Sequence, residues 1–552
     1  MRLIIIVLLS LIFTSCYSQK YSYIKPTSIV FNKKISKNDL KNWQYGDIHE
    51  DSIAGISLIK AYDSLMDKKK SNTIIIAVID NPVDIEHQYL KNAIWINEKE
   101  IPNNNIDDDK NGFVDDVHGW NFLGNSSGEN QIFSKMESSR ILQKYESVFE
   151  GKQYKDIVDK SNYRIYKSAK ADYNKMREKS LKEKDYFTMM HNSYNDAEKV
   201  LSKYFSSIDY SLEQLDSLKL QHPKDTILES AVLRMSNFKE YFGKDYIYRN
   251  YLIYNNHIEK LLNKDFNDRG ITGDDSDDIT DTSYGNNDIS HNLEVLNHGT
   301  LVSGVLVKSK DILDEVEGIT ENAKIMPLSI SCYGDEHDKD IALAIRYAVD
   351  NGAKVINMSF GKKFSLHKEW VFEAFKYAEK NDVLIISSAG NGGQDLSVEN
   401  NYYPNDNENN GTEVSNNFLL VGASTYNVNE KLVSSFSNYG NVDVDIFAPG
   451  YYIYTTAVSN KYEFQNGTSM AASITSGVAA LIRSYYPNLT AAEVKQIIME
   501  SGVSYDIMVN KPSTSKEKEL VLFSSLSKSG KIVNAYNALL MAEEVSKKKK
   551  RN

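Results

Sequence analysis

Cysteine is nearly absent from this chain: two residues, Cys16 and Cys332, among 552. That excludes a disulfide framework, so the fold must be held by its core. Basic charge is also short. Lys and Arg number 64 against 75 Asp and Glu, a net charge of −11, which argues against a general nucleic-acid binder. The one locally basic run, Lys547 to Arg551, reads as a solvated terminus. The apolar run from Leu3 to Phe13 is too short for a comfortable membrane span. Helix breakers are missing from one long stretch, about Gln131 to Lys264. Between Gly128 and Gly243 its only glycine is Gly151, and its first proline is Pro223. Lys, Glu, Tyr and Leu dominate there, and Ile247, Tyr251, Tyr254, Ile258 and Leu261 share one helical stripe. The spacing predicts several helices, broken near Pro223, with the tyrosines as a packing face. What remains is globular, 41% hydrophobic and 25% charged. A chain this long implies one large domain with an insertion, or two domains.

The N-terminus joins one positive charge, Arg2, to that apolar run and then to Thr14-Ser15-Cys16. This is the pattern of an export signal. The placement of Cys16 resembles the lipobox of bacterial lipoproteins, with Phe13 where that motif usually has Leu. The resemblance implies that Cys16 is lipidated, becomes the mature N-terminus and ties the protein to a membrane of the bacterial cell envelope. The alternative is a plain secretory signal. Cys332 reads as a small, partly buried hydrophobe.

Near-continuous apolar runs of strand length recur at Thr73–Ile79, Lys324–Ile330, Ala353–Met358, Val383–Ser388 and Phe418–Gly422. Such runs suit strands covered on both faces. Helical patterns at Asp340–Val349 and Glu369–Lys380 alternate with them. The order predicts an α/β fold with a doubly wound, mostly parallel sheet sandwiched between helices. In such sheets functional groups collect at the carboxyl ends of strands.

Four segments carry chemistry. Asp80 ends the first apolar run. Asn297-His298-Gly299-Thr300 precedes a helix of small residues. Ser388-Ala389-Gly390-Asn391-Gly392 follows the fourth run. Gly467-Thr468-Ser469-Met470-Ala471-Ala472 puts a serine where a glycine turn meets a buried helix. Any one has a bland structural explanation, an N-cap or a loop residue. Together, and in the order Asp, His, Ser, they resemble the subtilisin-like serine peptidases of family S8. The resemblance covers roughly residues 41–130 and 268–540.

The resemblance implies a serine endopeptidase acting on proteins or peptides. A serine hydroxyl is a weak nucleophile until a base takes its proton. His298 would be that general base and then the acid, Asp80 would orient it, and Asn391 with the Ser469 backbone N–H would hold the oxyanion. The activity would decline as pH falls near the ordinary histidine value of about 6.5. No cofactor is needed for this chemistry. Ser359-Phe360-Gly361 and Ala389-Gly390 would bind substrate, with broad specificity expected from backbone pairing. Asp84 and His87, close to Asp80, read as structural.

Two departures from the family pattern stand out. Asn81-Pro82 replaces the usual Ser/Thr-Gly after the aspartate, and Ser473 replaces a proline after Ala471-Ala472. Pro82 has no N–H and a fixed φ, so the turn beside Asp80 must differ and a bond orienting its carboxylate is at risk. A non-catalytic binding module on the same scaffold is therefore the alternative reading. Asp107, Asp109 and Asn111 alternate before Gly112 like a calcium loop, although His118 stands where an EF-hand needs Glu. A structural calcium site is one reading of this loop, and a solvated acidic loop is the other. The chain thus divides into a signal (1–16), a linker (17–40), two peptidase segments (41–130 and 268–540), a helical insertion (131–267) and a basic tail (541–552). Fewer than sixty residues separate Cys16 from Thr73, which leaves little room for an N-terminal inhibitory domain.

Overall fold

The computed structural model describes residues 22–551, apart from 32–34, 37–38, 67–68, 208, 310–317, 399–401, 409–410 and 516–517. The export signal and the expected lipidation of Cys16 lie outside these residues. No helix among the described residues is long and apolar enough to cross a membrane.

Each of the five apolar runs forms a strand. In chain order the strands are β1 (Ile74–Asp80), β2 (Trp120–Asn121), β3 (Ala323–Ser329), β4 (Val355–Met358), β5 (Leu384–Ser388), β6 (Phe418–Ser424) and β7 (Ile446–Pro449). A hairpin follows, β8 (Ile453–Ala457) and β9 (Lys461–Gln465), then β10 (Val503–Ser504) and β11 (Lys531–Ile532). Nine of these form one sheet in the order β10-β11-β7-β6-β5-β4-β1-β3-β2. Every pairing in it is parallel except β10 with β11.

The strands read as unbroken apolar runs because both faces are buried. In β1, Ile76 and Val78 face one core while Ala77 and Ile79 face the other, as a period of two requires. Helices α1 (Glu137–Phe149), α2 (Lys160–Leu201), α3 (Leu212–Gln221), α4 (Thr226–Tyr241) and α5 (Lys244–Asn256) fill the breaker-poor stretch. Then come α6 (His298–Leu306), α7 (Asp338–Asp350), α8 (Lys368–Lys380), α9 (Thr468–Tyr485), α10 (Ala491–Ser501) and α11 (Ala535–Lys549). Helices α6, α9, α10 and α11 pack on the first core, α7 and α8 on the second. Helix α9 is buried from Thr468 to Ser484, which only its run of small residues permits.

Helices α2 to α5 carry a core of their own, built around Tyr194, Leu215, Met235, Phe238 and Ile247. Pro223 falls in the turn between α3 and α4, and Asp225 caps α4 by accepting from the Leu228 N–H. The tyrosines pack: Tyr254 stacks on Phe187 and Tyr251 on His191. At the root of this arm Ile141, Leu142 and Phe149 of α1 bury Phe364, which follows β4. Buried charges reinforce the joint. The Arg140 guanidinium meets Asp268 and Glu137 and donates to the carbonyls of Asp335 and Glu336. Lys362 lies 3.3 Å from Glu137 and 2.8 Å from Asp338, and donates to the Glu336 carbonyl.

Candidate active site

β1 and β4 are neighbours, and their carboxyl ends hold the two halves of the site. At the end of β1, Asp80 is buried, and its Oδ1 accepts from His298 Nδ1 at 2.8 Å and from the Asn81 N–H at 2.6 Å. His298 opens α6. The next residue must be glycine because the chain after Asp80 crosses there: a Cβ at Gly299 would meet the Asn81 carbonyl oxygen at 2.2 Å. Thus the turn at Asn81-Pro82 and the start of α6 are fitted to each other. The same turn leaves Asp80 Oδ2 buried with no hydrogen-bond partner among the described residues. The Asn81 side chain is turned away and donates to the Ser331 carbonyl at 2.7 Å.

About a third of the His298 side chain is exposed. Burial disfavours the imidazolium, but the adjacent Asp80 carboxylate and its hydrogen bond, with Glu336 beyond, more than reverse this. His298 therefore titrates above its ordinary value of 6.5. Asp84 and His87 face elsewhere. Asp84 accepts from the Ser459 N–H. The His87 ring is shared between the Tyr89 N–H and the Lys461 carbonyl, and burial lowers its pKa.

Beyond the end of β4, the Ser359 carbonyl accepts from the Ser469 hydroxyl at 3.0 Å. The Ser359 hydroxyl donates back to the Ser469 carbonyl at 3.1 Å. Ser469 sits in the first turn of α9, where backbone N–H groups have no intrahelical acceptor. Thr468 ties this turn to the loop after β5. Its hydroxyl accepts from the Gly390 N–H at 3.0 Å, and its N–H donates to Asn391 Oδ1 at 2.9 Å. With Oδ1 so engaged, Asn391 Nδ2 lies beside the Ser469 N–H: both are under 4 Å from the position a Cβ would take on Gly467. Among the described residues, no hydrogen bond joins Ser469 Oγ to His298; the hydroxyl is directed to the Ser359 carbonyl instead. Such contacts commonly tighten only when substrate binds.

Of the expected substrate segments, Ser359, Phe360 and Gly361 run out of β4, and Ala389 and Gly390 out of β5. Phe360 packs against the second core. Two residues here carry no sequence signal. The Glu336 carboxyl is buried, accepts from the Ser331 hydroxyl at 2.7 Å, and is raised to about 7 by burial and by Asp335. Tyr402 lies against both Gly361 and Gly390.

In the acidic loop, Glu100, Asp107 and Asp109 each bring one carboxylate oxygen within 4.8 Å of the others. Glu100 was not legible from the alternating pattern. Asn111 is oriented by its neighbours, its Nδ2 donating to Asp116 and its Oδ1 accepting from the Phe113 N–H.

The parallel sheet, the strand-end Asp–His pair and the helix-start serine define an α/β fold in which Asp, His and Ser come from separate segments in that chain order. The chain belongs to the subtilase family: that family's model matches residues 71–522. It is 32% identical over 227 residues to a thermophilic serine proteinase of Bacillus sp. (strain AK1), covering 41% of this chain and 50% of that protein. It is 32% identical over 216 residues to subtilisin DY of Bacillus licheniformis, covering 39% of this chain and 73% of that protein. Among solved structures, a protease of Pseudoalteromonas arctica shares 26% identity, with 44% of this chain and 70% of that chain covered and a TM-score of 0.34. The chain therefore spans half the length of one of these curated relatives and nearly three quarters of the other.

Proposed function

We propose that this protein is an exported serine endopeptidase that cleaves proteins or peptides through an acyl-enzyme on Ser469. The observation that carries the reading is the 2.8 Å contact of His298 Nδ1 with a buried strand-end carboxylate, one strand away from a serine at a helix start. Nδ1 donates to Asp80, so Nε2 is the basic nitrogen of the neutral ring. It takes the hydroxyl proton as Ser469 Oγ attacks the scissile carbonyl, then gives it to the leaving amine. Asn391 Nδ2 and the Ser469 N–H stabilise the oxyanion formed between these events. In deacylation His298 takes a proton from water as it attacks the ester carbonyl, the bond to Ser469 Oγ breaks, and His298 returns the proton to that oxygen. A fluorophosphonate probe is the direct test: the adduct is expected on the peptide containing Ser469, and a folded protein that takes up no probe would refute the reading.

The acidic loop supports a structural calcium ion held by Glu100, Asp107 and Asp109, since clustered carboxylates are the donors calcium takes. Calcium at 100 times its Kd adds about 2.7 kcal/mol of stability. In a chain of this size that is a rise in Tm of about 2 °C. Removal by EDTA reverses it, and Asp107→Ala abolishes the response. An unchanged melting curve with and without calcium would dispose of the site.

Anchoring is read from Cys16. Mass spectrometry of the envelope-associated protein is expected to show a diacylglyceryl-modified Cys16 as the first residue of the mature chain. A mature chain that begins elsewhere, unmodified, would favour plain secretion.

A further inference from the structure

A peptide poised for attack at Ser469 has its scissile carbonyl beside Ser469 Oγ, the Ser469 N–H and Asn391 Nδ2. The side chain preceding that carbonyl is then expected in the space between the two segments already assigned to substrate. One is Ser359 to Gly361, whose first carbonyl meets the Ser469 hydroxyl. The other is Ala389 to Asn391, which Thr468 ties to the start of α9. Both flanks present glycine, which by itself would leave room for a large side chain.

The recess is not empty. A Cβ at Gly361 would lie 2.1 Å from Tyr402 Oη and 2.2 Å from Cζ, and one at Gly390 would lie 2.6 Å from Tyr402 Cε2. The phenol end of Tyr402 is thus lodged between the two glycines, touching both backbones. Its hydroxyl reaches the Phe360 carbonyl at 3.4 Å. The ring also packs against the second core beside Phe360. A larger residue at either glycine would collide with Tyr402, and at Gly390 also with the Asn438 amide at 2.6 Å, so the space between the glycines is taken up by the Tyr402 ring.

Resting on the peptidase reading above, we infer that Tyr402 is a specificity-determining residue that fills the recess for the side chain preceding the scissile bond, so that the enzyme cleaves after small residues such as alanine. A pocket distinguishes side chains by roughly 10- to 200-fold per methylene of misfit, and a phenylalanine side chain exceeds alanine by a whole ring.

The test uses two fluorogenic peptides differing only in Ala or Phe before the scissile bond. Fluorophosphonate titration first gives the fraction of active protein. If nothing is labelled and neither peptide is cut, it is the peptidase reading that fails. With active protein, wild type is expected to show kcat/KM at least ~10-fold higher for Ala than for Phe. Tyr402→Ala shifts that ratio at least ~10-fold toward Phe, while Tyr402→Phe, which keeps a ring in the recess, retains the preference for Ala. Wild type that cuts after Phe as well as after Ala overturns the inference, as does a folded Tyr402→Ala with an unaltered ratio. Should Tyr402→Ala fail to fold, the wild-type ratio still decides.

Discussion

Ser469→Ala is expected to abolish peptide-bond cleavage, with kcat falling on the order of 10⁶-fold; that magnitude is taken from subtilisin, a member of this family. The loss is so large because the proposed acyl-enzyme forms on this hydroxyl. It lies in the first turn of a buried helix, with Asn391 Nδ2 and its own N–H converging beside it. The substitution removes one oxygen, and with it the 3.0 Å bond to the Ser359 carbonyl. The fold should survive, because α9 is bound by its buried small residues rather than by this hydroxyl. The measurement is kcat on a fluorogenic peptide, paired with probe labelling and a melting curve. A folded Ser469→Ala protein that still cleaves within 10-fold of wild type, by roughly the precision such kinetics allow, would remove Ser469 from the chemistry.

The second large effect is at Asp80. Asp80→Asn keeps the shape but takes away the charge that holds His298 above its ordinary titration. The base must be neutral to accept the serine proton, so activity falls as pH drops through the His298 pKa, above 6.5 in wild type. Without the carboxylate, burial acts with less opposition and the acidic limb of the kcat/KM profile moves to lower pH. At neutral pH kcat should fall on the order of 10⁴-fold, because the ring loses its tautomer and orientation; triad enzymes including subtilisin set that figure. An acidic limb that stays put or moves upward would show that Asp80 does not govern His298. The orphaned Oδ2 makes this site instructive: the hydrogen bond between Asp80 and His298 passes through one oxygen, Oδ1, while the charge of the whole carboxylate adds to it.

Much of this was legible in the sequence because the signals are local. Five apolar runs gave five central strands, since burial on both faces leaves no polar position to confuse the pattern. Asp80, His298, Asn391 and Ser469 sit within short motifs at element ends, where strand termini and helix starts are themselves readable. The risk seen in Asn81-Pro82 corresponds to an Asp80 oxygen without a donor, because proline offers no N–H and the asparagine is drawn to Ser331. The two-residue strands β2, β10 and β11 were illegible, being too short to show a period. So was hairpin β8–β9, whose second strand is largely exposed. Glu100, Glu336 and Tyr402 were missed for one reason. Each reaches its place from a loop whose path is fixed by tertiary packing, so no spacing announces it.

The charged joint beneath the helical arm bears on how this protein could be shortened. An excision of the arm looks simple on topology, since α2 to α5 carry their own core. Yet a cut that also took α1 would remove Arg140 and Glu137, leaving Asp268 with His337 and Lys362 with Asp338. Stripping one member from a buried pair costs about 3–5 kcal/mol. Lys362 directly follows Gly361, and the Asp335 and Glu336 carbonyls that Arg140 grips also belong to the peptidase body. A minimal peptidase cut from this chain would therefore keep α1, so that the buried charges next to Gly361 stay paired.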